Sequence, residues 1–247
     1  MSQSFKRALV VGASSGIGES LARKLAAEGA QVAVVARRKD ELEQLADSVG
    51  RDKIRVYPHD VLDYDKTPEL FERICADLGG LDVIVYAAGV MPAIEEGEYS
   101  FVKDRSMIEV NLLGAMAWFN LAAAKFEAQK SGSIVGISSI AGERGRRGNA
   151  AYCTSKAALT TYLESLRNRL SRYGVNVVTI KPGFVDTAMT RGKPGLFWLV
   201  SPTQAAETTL ALARRDSGAS AFVPWRWSIV AFIVRMLPSF IFRRLNF

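Results

Sequence analysis

The fold depends on one stretch, Ala8-Leu-Val-Val-Gly12-Ala-Ser-Ser-Gly16-Ile-Gly18-Glu-Ser-Leu-Ala-Arg-Lys-Leu-Ala-Ala-Glu28. The residues before Gly12 have the apolar pattern of a buried strand, and those after Gly18 have the spacing of an amphipathic helix that ends at Gly29. Glycines in such a strand-to-helix turn permit unusual backbone angles and the close approach of a ligand. The helix start offers N–H groups and a positive dipole end to a pyrophosphate. We therefore predict a dinucleotide-binding turn made of Gly12, Ser14, Ser15, Gly16, Ile17 and Gly18.

Apolar strand runs and helical patterns alternate along the rest of the chain. Continuous Val, Ile and Leu strands separated by helices favour a parallel sheet that is covered on both faces. We predict one α/β domain, a doubly wound parallel sheet over residues 1–224, followed by an apolar extension at 225–247. Thr67-Pro68 and Ser201-Pro202 each read as a helix cap followed by the first helical position. The strands are expected near 6–12, 31–36, 53–58, 81–87, 132–138, 175–181 and 220–223, and the helices near 16–28, 39–49, 67–79, 103–129, 149–173 and 202–215.

Motif residues fall where the predicted strands end. In open α/β sheets, ligands bind outside the carboxyl ends of the strands. Because five strands end in this way, we predict that they aim their motif residues at a single crevice. These residues are Gly12, Asp60, Gly89, Ser139 and the pair Pro182-Gly183.

The composition limits the classes of function that fit the chain. The 247 residues carry a formal charge of +7 without a basic-aromatic module, so nucleic acid is not an expected partner. Cys75 and Cys153 are the only cysteines and His59 is the only histidine, which excludes a disulfide framework and a multi-histidine metal site. We interpret His59 as an ordinary residue at a strand end beside the cofactor. Residues 1–7 lead directly into the first strand, so no signal peptide is expected and the cytoplasm is the expected location.

Tyr152 and Lys156 have the spacing of a proton-transfer pair. They lie four residues apart in a helix-forming run, on one helix face, and Ser139 precedes the tyrosine by thirteen residues. A free phenol titrates near ~10, and a close positive charge lowers that pKa. Tyrosine and lysine at this spacing are common on helix surfaces, so the pair alone does not distinguish a site from surface packing.

Taken together, these motifs resemble the short-chain dehydrogenase/reductase family, in its compact single-domain branch. The resemblance covers about residues 5–224. It implies a Rossmann-type fold, a nicotinamide cofactor and an Asn-Ser-Tyr-Lys catalytic group. The matching residues, in the family's order and at its spacings, are Gly12, Gly16, Gly18, Asp60, Ala88-Gly89, Asn111, Ser139, Tyr152, Lys156 and Pro182-Gly183.

The resemblance gives each member of the catalytic group a role. Ser139 would position the substrate carbonyl, with Ser138 as the alternative, and Tyr152 would donate a proton to its oxygen. Lys156 would lower the pKa of the tyrosine and hold the nicotinamide ribose. Asn111 would hold a water that connects Lys156 to solvent, whereas the alternative is a polar residue at a helix kink.

The resemblance also implies cofactor contacts outside the glycine turn. Asp60 and Val61 match the position that holds the adenine ring. Tyr86-Ala87 departs from the family, which usually has two asparagines that tie the end of the fourth strand to its neighbours. Because of this departure, the sequence does not predict how rigid the end of the fourth strand is or how tightly the cofactor binds. The remaining contacts are Ala88, Gly89, Pro182 and Gly183, with the Val185 backbone and Thr187 on the carboxamide.

The end of the second strand indicates which cofactor is used. Ala36 stands at the position where NAD-using sites have an acid. The next two residues, Arg37 and Arg38, can bind a 2′-phosphate through charge-assisted hydrogen bonds. We predict a preference for NADP(H), with NAD(H) as the alternative cofactor and a solvated helix start as the simpler interpretation of the arginines. Many NADP users carry a base just before the second glycine. This chain has Ser15 there, and the hydroxyl of Ser14 or Ser15 could serve instead.

The loop after Thr187 is the candidate substrate region. Its apolar residues could line a pocket under a glycine-hinged lid, or they could only pack the lid. The leading hypothesis is an NADPH-dependent reductase of an apolar, lipid-like ketone or aldehyde, acting as a homodimer or homotetramer. The alternatives are an NAD-dependent alcohol dehydrogenase and a non-catalytic dinucleotide-binding scaffold. The candidate substrate residues are Ser139, Tyr152, Met189, Leu196, Phe197 and Trp198.

The extension at 225–247 mixes aromatic, aliphatic and arginine side chains, and no acid follows Asp216. Arg235 and Pro238 interrupt its apolar run, which is too short to span a bilayer. Two short helices that flank Pro238 could lie in a membrane interface. Alternatively, they cover a partner subunit or the substrate pocket.

Overall fold

A computed structural model describes residues 4–192, 195–215 and 218–245, so the ends of the predicted domain and extension, 1–3 and 246–247, lie outside the described residues. Within these residues the strands are β1 (Arg7–Val11), β2 (Gln31–Ala36), β3 (Ile54–Pro58), β4 (Val83–Tyr86), β5 (Gly132–Ile137), β6 (Val175–Pro182) and β7 (Ser220–Val223). They form one parallel sheet in the order β3-β2-β1-β4-β5-β6-β7. This arrangement confirms the predicted doubly wound α/β fold.

Helices connect the strands and cover the sheet. The predicted helix over 103–129 is one continuous rod, in which Glu109–Leu113 forms a π turn between two α-helical segments. Two short helices flank Pro238, as predicted. The helices are α1 (Gly16–Ala27), α2 (Lys39–Val49), α3 (Thr67–Leu78), α4 (Phe101–Ile108), α5 (Gly114–Gln129), α6 (Ala150–Leu170), α7 (Pro202–Ala213), α8 (Trp227–Met236) and α9 (Ser239–Phe242).

Apolar side chains fill a core on each face of the sheet. Helices α1, α2 and α7 pack on one face, and α3, α5 and α6 pack on the other. Because both faces are covered, successive strand residues such as Val34 and Val35 are both fully buried. This explains why the strands read as continuous apolar runs rather than as alternating patterns.

The rod Phe101–Gln129 is, among the described residues, the one helix that is long and apolar enough to cross a membrane by length and composition. Half of its apolar window is nevertheless buried inside the protein, at 50%. The rings of Trp118, Phe119 and Phe126 are fully buried and belong to the core under the sheet. We therefore interpret the rod as a core helix of the domain.

The two predicted helix caps have different outcomes. Ser201 caps α7 as predicted, because its hydroxyl accepts the N–H of Gln204 at 3.1 Å and the Gln204 side chain accepts the N–H of Ser201 at 2.9 Å. Thr67 does not cap α3, which already includes it as its first residue. The Thr67 hydroxyl instead donates to the carbonyl of Asp63 at 3.0 Å, a local backbone bond that competes with capping.

The motif residues meet at the carboxyl edge of the sheet. Strands β1 and β4 are neighbours although β2 and β3 come between them in the sequence, so the strand order reverses here. In open α/β sheets a ligand crevice forms at such a reversal, outside the carboxyl ends of the strands. The turns after β1, β3, β4, β5 and β6 therefore surround one region.

Candidate active site

Backbone contacts shape the glycine turn between β1 and α1. Gly12 has a φ of 89°, and a Cβ atom on it would overlap the backbone of Ala88 beyond β4. A Cβ atom on Gly18 would overlap the carbonyl of Gly12. Both positions require glycine because the turn, the start of α1 and the end of β4 pack backbone against backbone.

The start of α1 has the features of a phosphate-binding helix end. The first N–H groups of a helix have no partner within it, and the helix dipole is positive at this end. Ser15 is the cap residue, yet its hydroxyl makes no capping bond and instead accepts Nη2 of Arg38 at 2.7 Å. The turn and the helix start therefore fit the pyrophosphate of a dinucleotide.

Two arginines stand beside the glycine turn. Nη2 of Arg38 also donates to the Ser14 hydroxyl at 2.8 Å, while Nη1 of Arg37 lies 3.8 Å from Oδ2 of Asp60. Both arginines line the cavity at the end of β2, where Ala36 leaves no acid. Each guanidinium also lies near one carboxylate, Asp60 for Arg37 and Glu41 for Arg38, but no acid stands at the end of β2 itself. The arrangement therefore offers two guanidinium groups to an anion in the cavity.

One cavity of about 960 Å³ extends from the glycine turn, past the ends of β4, β5 and β6, to residues 225–245, which we call the tail. It brings together residues predicted from distant parts of the sequence. The predicted residues on its wall are Gly12, Ser14, Ser15, Gly16, Ile17, Arg37, Arg38, Val61, Ala88, Gly89, Ser139, Tyr152, Lys156, Pro182, Gly183, Val185, Thr187, Met189 and Phe197.

Five predicted site residues lie outside the cavity wall, namely Gly18, Asp60, Asn111, Leu196 and Trp198. The carboxylate of Asp60 accepts the N–H of Leu62 at 3.1 Å, while its neighbours His59 and Val61 line the cavity. Across the described ranges, no group of three or more His, Cys, Asp or Glu side chains could hold a metal ion.

The loop after Thr187 contributes two of its four predicted substrate residues to the wall. Met189 and Phe197 line the cavity. Trp198 instead packs against the rings of Phe197 and Trp227, with centroid distances of 5.4 and 5.7 Å. At Trp198 the structure therefore agrees with the alternative interpretation, in which apolar residues pack the lid.

Tyr152 lies in the first turn of α6 and is 7% exposed. Burial raises the pKa of its phenol, while a hydrogen bond with Ser139 and the charge of Arg146 act in the lowering direction. The spacing of Tyr152 and Lys156 predicted a lowered pKa for the phenol. In this structure the Lys156 Nζ lies 5.8 Å from the ring centroid, and burial dominates. Arg146, which the sequence analysis missed, is the cation whose charge acts on the phenol.

Ser138 and Ser139 follow β5 and have different partners. The Ser138 hydroxyl donates to the Lys156 carbonyl at 2.9 Å and pairs with the Thr160 hydroxyl at 2.8 Å. The Ser139 hydroxyl accepts the N–H of Ala141 at 3.1 Å and stands beside the Tyr152 phenol. Because the Ser138 hydroxyl is occupied by α6, the geometry favours Ser139 as the residue that faces a substrate.

Lys156 is a buried ammonium group, and its Nζ donates to the carbonyl of Ile137 at 2.9 Å. Burial lowers its pKa from 10.5 to about 8. The buried ammonium group therefore destabilises the folded state fully at pH values below about 8, the pKa of Lys156 in the folded protein. This destabilisation disappears as the pH rises to 10.5, the pKa of lysine in the unfolded chain.

We expect Lys156→Met to raise the free energy of unfolding at neutral pH by about 1–3 kcal/mol, because no ammonium group is then buried. The gain over the unsubstituted protein should shrink between pH 8 and pH 10.5, where the wild-type lysine loses its proton on folding. Urea denaturation of both proteins across this range measures the effect. The exposed Lys6→Met is the matched control, and a Lys156→Met protein less stable than wild type at neutral pH would contradict the prediction.

Asn111 is fully buried in the π turn. Its Oδ1 accepts the N–H of Val90 at 2.7 Å, and its Nδ2 donates to the Val90 carbonyl at 3.0 Å and to the Ser155 hydroxyl at 3.1 Å. The Tyr86 hydroxyl donates to the carbonyl of Val110 at 2.6 Å. Thus Tyr86, at the position that departs from the family pattern, ties the end of β4 to the π turn that presents Asn111.

The tail supplies a cavity wall. Trp227, Val230 and Val234 of α8 line the cavity. The Trp227 ring stacks on Phe197 at 5.0 Å and meets Phe184 edge-on at 5.3 Å. These contacts agree with the interpretation that the tail covers the pocket.

Glu143 fixes the tail to the loop that follows Ser139. Its side chain is 2% exposed, lies 2.8 Å from Nζ of Lys181 and forms an ion pair with Arg235 of α8. The neighbouring Arg144 donates to the carbonyl of Val234 at 2.7 Å. No local pattern in the sequence predicted these contacts.

Comparison with known proteins agrees with the fold. Residues 6–194 match a family model described as short chain dehydrogenase. An uncharacterized oxidoreductase of Mycobacterium tuberculosis is 31% identical over 244 residues, which cover 97% of this chain and 96% of that protein. An uncharacterized oxidoreductase of Myxococcus xanthus is 35% identical over 241 residues, which cover 97% of this chain and 95% of that protein. The structure of ElxO with NADP bound has a TM-score of 0.80 at 22% identity and covers 90% of this chain and 99% of that chain.

The sheet order and the glycine turn, together with these relatives, define an oxidoreductase with a Rossmann-like α/β fold. The match over most of its length shows that the chain belongs to the short-chain dehydrogenase family, as the sequence motifs predicted.

Proposed function

We propose that the protein is an NADPH-dependent carbonyl reductase that acts on an apolar ketone or aldehyde. One observation carries the proposal. The buried phenol of Tyr152 stands beside Ser139 in a cavity that has Arg37 and Arg38 at one end and apolar side chains at the other. Proton donor, carbonyl-positioning hydroxyl and cofactor-binding cations therefore share one cavity.

A bound nicotinamide would supply the hydride. Tyr152 donates its proton to the carbonyl oxygen of the substrate. Ser139 would position that oxygen through a hydrogen bond, and Lys156 would hold the nicotinamide ribose of a bound cofactor. Because burial raises the pKa of Tyr152, the phenol keeps its proton at neutral pH, which is the state that a donor for reduction requires.

The far end of the cavity suits an apolar substrate. Met189, Phe184 and Phe197 come from the β6 end and the lid, while Trp227 and Val230 come from the tail. These side chains form an apolar surface that favours an aliphatic or aromatic body next to the carbonyl. The proposal therefore includes lipid-like ketones and aldehydes.

The preference for NADPH rests on the two arginines after β2. Arg38 is fixed above the turn by Ser14 and Ser15, which replace the base that many NADP users carry there. The structure of ElxO holds NADP, which supports the same choice for a chain of this fold.

We expect the double substitution Arg37→Ala with Arg38→Ala to raise the dissociation constant for NADPH at least about tenfold, because charge-assisted bonds contribute roughly 1.5–3 kcal/mol each. Binding of NADH, which has no 2′-phosphate, should change little. Fluorescence titration of both cofactors measures the effect, with Arg169→Ala and Arg172→Ala at the opposite edge of the sheet as the matched control. Equal weakening of NADPH and NADH would show that the arginines do not recognise the phosphate.

A panel of ketones and fatty aldehydes, assayed with NADPH and with NADH, tests the proposal as a whole. We expect turnover with NADPH and an increase in kcat/KM with the length of the apolar chain. Turnover of alcohols with NAD at a higher kcat/KM would favour an NAD-dependent alcohol dehydrogenase instead. We further propose a homodimer or homotetramer in the cytoplasm, which mass measurement and cell fractionation test.

A further inference from the structure

The tail has an apolar face that points away from the protein. Helix α8 buries Trp227 and Ala231, which are 4% and 2% exposed, against the domain. On the opposite side, Phe232 and Met236 are 66% and 68% exposed. We call the following exposed side chains the outer face: Trp225, Ile229, Phe232, Ile233, Met236, Phe240 and Ile241.

Helical spacing explains why the two faces coexist. Ile229, Phe232 and Met236 follow one another at steps of three and four residues and so lie on one side of α8. Val230 and Val234 also lie four residues apart and line the cavity on the other side. A helix that is apolar all round is ordinarily buried all round, so the outer face indicates a second apolar environment.

The cations around the outer face are available to an external partner. Arg226, Arg243 and Arg244 are exposed, and within the parts of the chain that the structure describes they form no ion pair. Arg226 lies over the ring of Trp198 at 5.5 Å. No acidic residue follows Asp216 in the sequence. The surface therefore combines apolar side chains with uncompensated positive charge, which complements an anionic lipid interface.

The mouth of the cavity opens beside this face. Ile233 and Leu245 of the tail and Phe197 of the lid line the cavity and are also 52%, 37% and 49% exposed. A molecule that entered between them would pass from the outer face directly to the apolar wall.

We propose that the outer face of the tail docks on an anionic membrane surface, with the mouth of the cavity turned toward the lipid. The docking stands on the exposed side chains and the unpaired arginines alone. Delivery of an apolar carbonyl compound from the lipid to Tyr152 rests, in addition, on the proposed function.

A second copy of the chain fits this face less well than lipid does. A two-fold contact places the same patch of each copy against the other. The patch carries Arg226, Arg243 and Arg244 and no acidic residue of the tail, so such a contact brings like charges together. Lipid headgroups that carry negative charge remove this conflict.

Co-sedimentation with vesicles tests the docking with the full chain. The unsubstituted protein should pellet with vesicles of phosphatidylcholine and phosphatidylglycerol, and less so at high salt or with phosphatidylcholine alone. Phe232→Gln with Met236→Gln removes apolar area without changing the charge, and neither side chain lines the cavity. We expect this variant to bind vesicles at least about tenfold more weakly, since full burial of each side chain is lost.

A second variant separates charge from apolar area. Arg243→Gln with Arg244→Gln should weaken binding to the anionic vesicles roughly fivefold per arginine at low salt and remove most of its salt dependence. Arg169→Gln with Arg172→Gln, at the far edge of the sheet, is the charge-matched control and should bind like wild type. NADPH binding should be the same in all these proteins, which verifies that each is folded.

Two results would overturn the docking. The first is an unsubstituted protein that stays in the supernatant with anionic vesicles at low salt. The second is a Phe232→Gln, Met236→Gln variant whose mass in solution falls to that of a single chain while vesicle binding is unchanged, which would show that a second copy covers the outer face. Neither measurement uses turnover, so the docking and the proposed reductase activity fail independently.

Discussion

Replacement of Tyr152 by phenylalanine should lower kcat/KM for carbonyl reduction by about 10²–10⁴-fold, the range typical of a lost general acid. The substitution keeps the buried ring and removes the hydroxyl that stands beside Ser139. Since the ring still packs in its place, the dissociation constant for NADPH should stay within a few fold of the wild-type value. Steady-state kinetics with the best substrate of the panel, together with a cofactor titration, measure both quantities.

Tyr173→Phe is the matched control for this experiment. Tyr173 precedes β6 at the opposite edge of the sheet, where Lys130 lies 4.1 Å from its ring centroid. Loss of its hydroxyl should leave kcat/KM unchanged. If the Tyr152→Phe protein kept more than about a tenth of the wild-type kcat/KM, the phenol would not be the proton donor, because a general acid contributes at least about 10²-fold.

Glu143→Gln should lower the free energy of unfolding by about 3–5 kcal/mol, because it leaves a buried cation without its partner. The side chains of Glu143 and Lys181 are 2% and 6% exposed and lie 2.8 Å apart. Glutamine keeps the size of the side chain and removes only the negative charge. Urea denaturation at neutral pH measures the loss.

Two further variants isolate the cause of that loss. Glu143→Gln combined with Lys181→Met removes both charges of the buried pair and leaves only Arg235, which is exposed to solvent, without this partner. It should recover most of the stability, since the destabilisation comes from the buried unpaired charge. Glu43→Gln breaks the exposed pair with Arg51 and should cost no more than about 1 kcal/mol. If Glu143→Gln and Glu43→Gln lowered the free energy of unfolding by similar amounts, the burial of the Glu143–Lys181 pair would not explain the loss.

The sequence predicts the sheet, the glycine turn and the wall residues at the strand ends because these depend on local patterns. The apolar run before Gly12 and the helical spacing after Gly18 each occupy a few consecutive residues. Tyr152 and Lys156 lie four residues apart, so helix geometry alone places them on one face. Parallel strands then bring their carboxyl ends to a common edge without further information from the chain.

The features that the sequence did not reveal depend on contacts between distant segments. The Glu143 ion pairs join a loop after β5 to β6 and to α8, and no local pattern encodes them. Similarly, the pKa of Tyr152 is raised because the fold buries the phenol, an effect that the spacing to Lys156 does not encode. The π turn that contains Asn111 accepts a hydrogen bond at the carbonyl of Val110 from Tyr86, twenty-four residues before Val110 in the chain.

The contribution of the tail to the cavity wall has a consequence for how specificity diverges among relatives. The match to the family model ends at residue 194, whereas Trp227, Val230 and Val234 line the apolar end of the cavity. Selection can therefore alter these positions, and with them the compounds accepted, while the glycine turn and the proton donor stay fixed. Two relatives of equal overall identity to this chain can then differ in substrate range, and a phylogeny of the tail will separate them better than one of the whole domain.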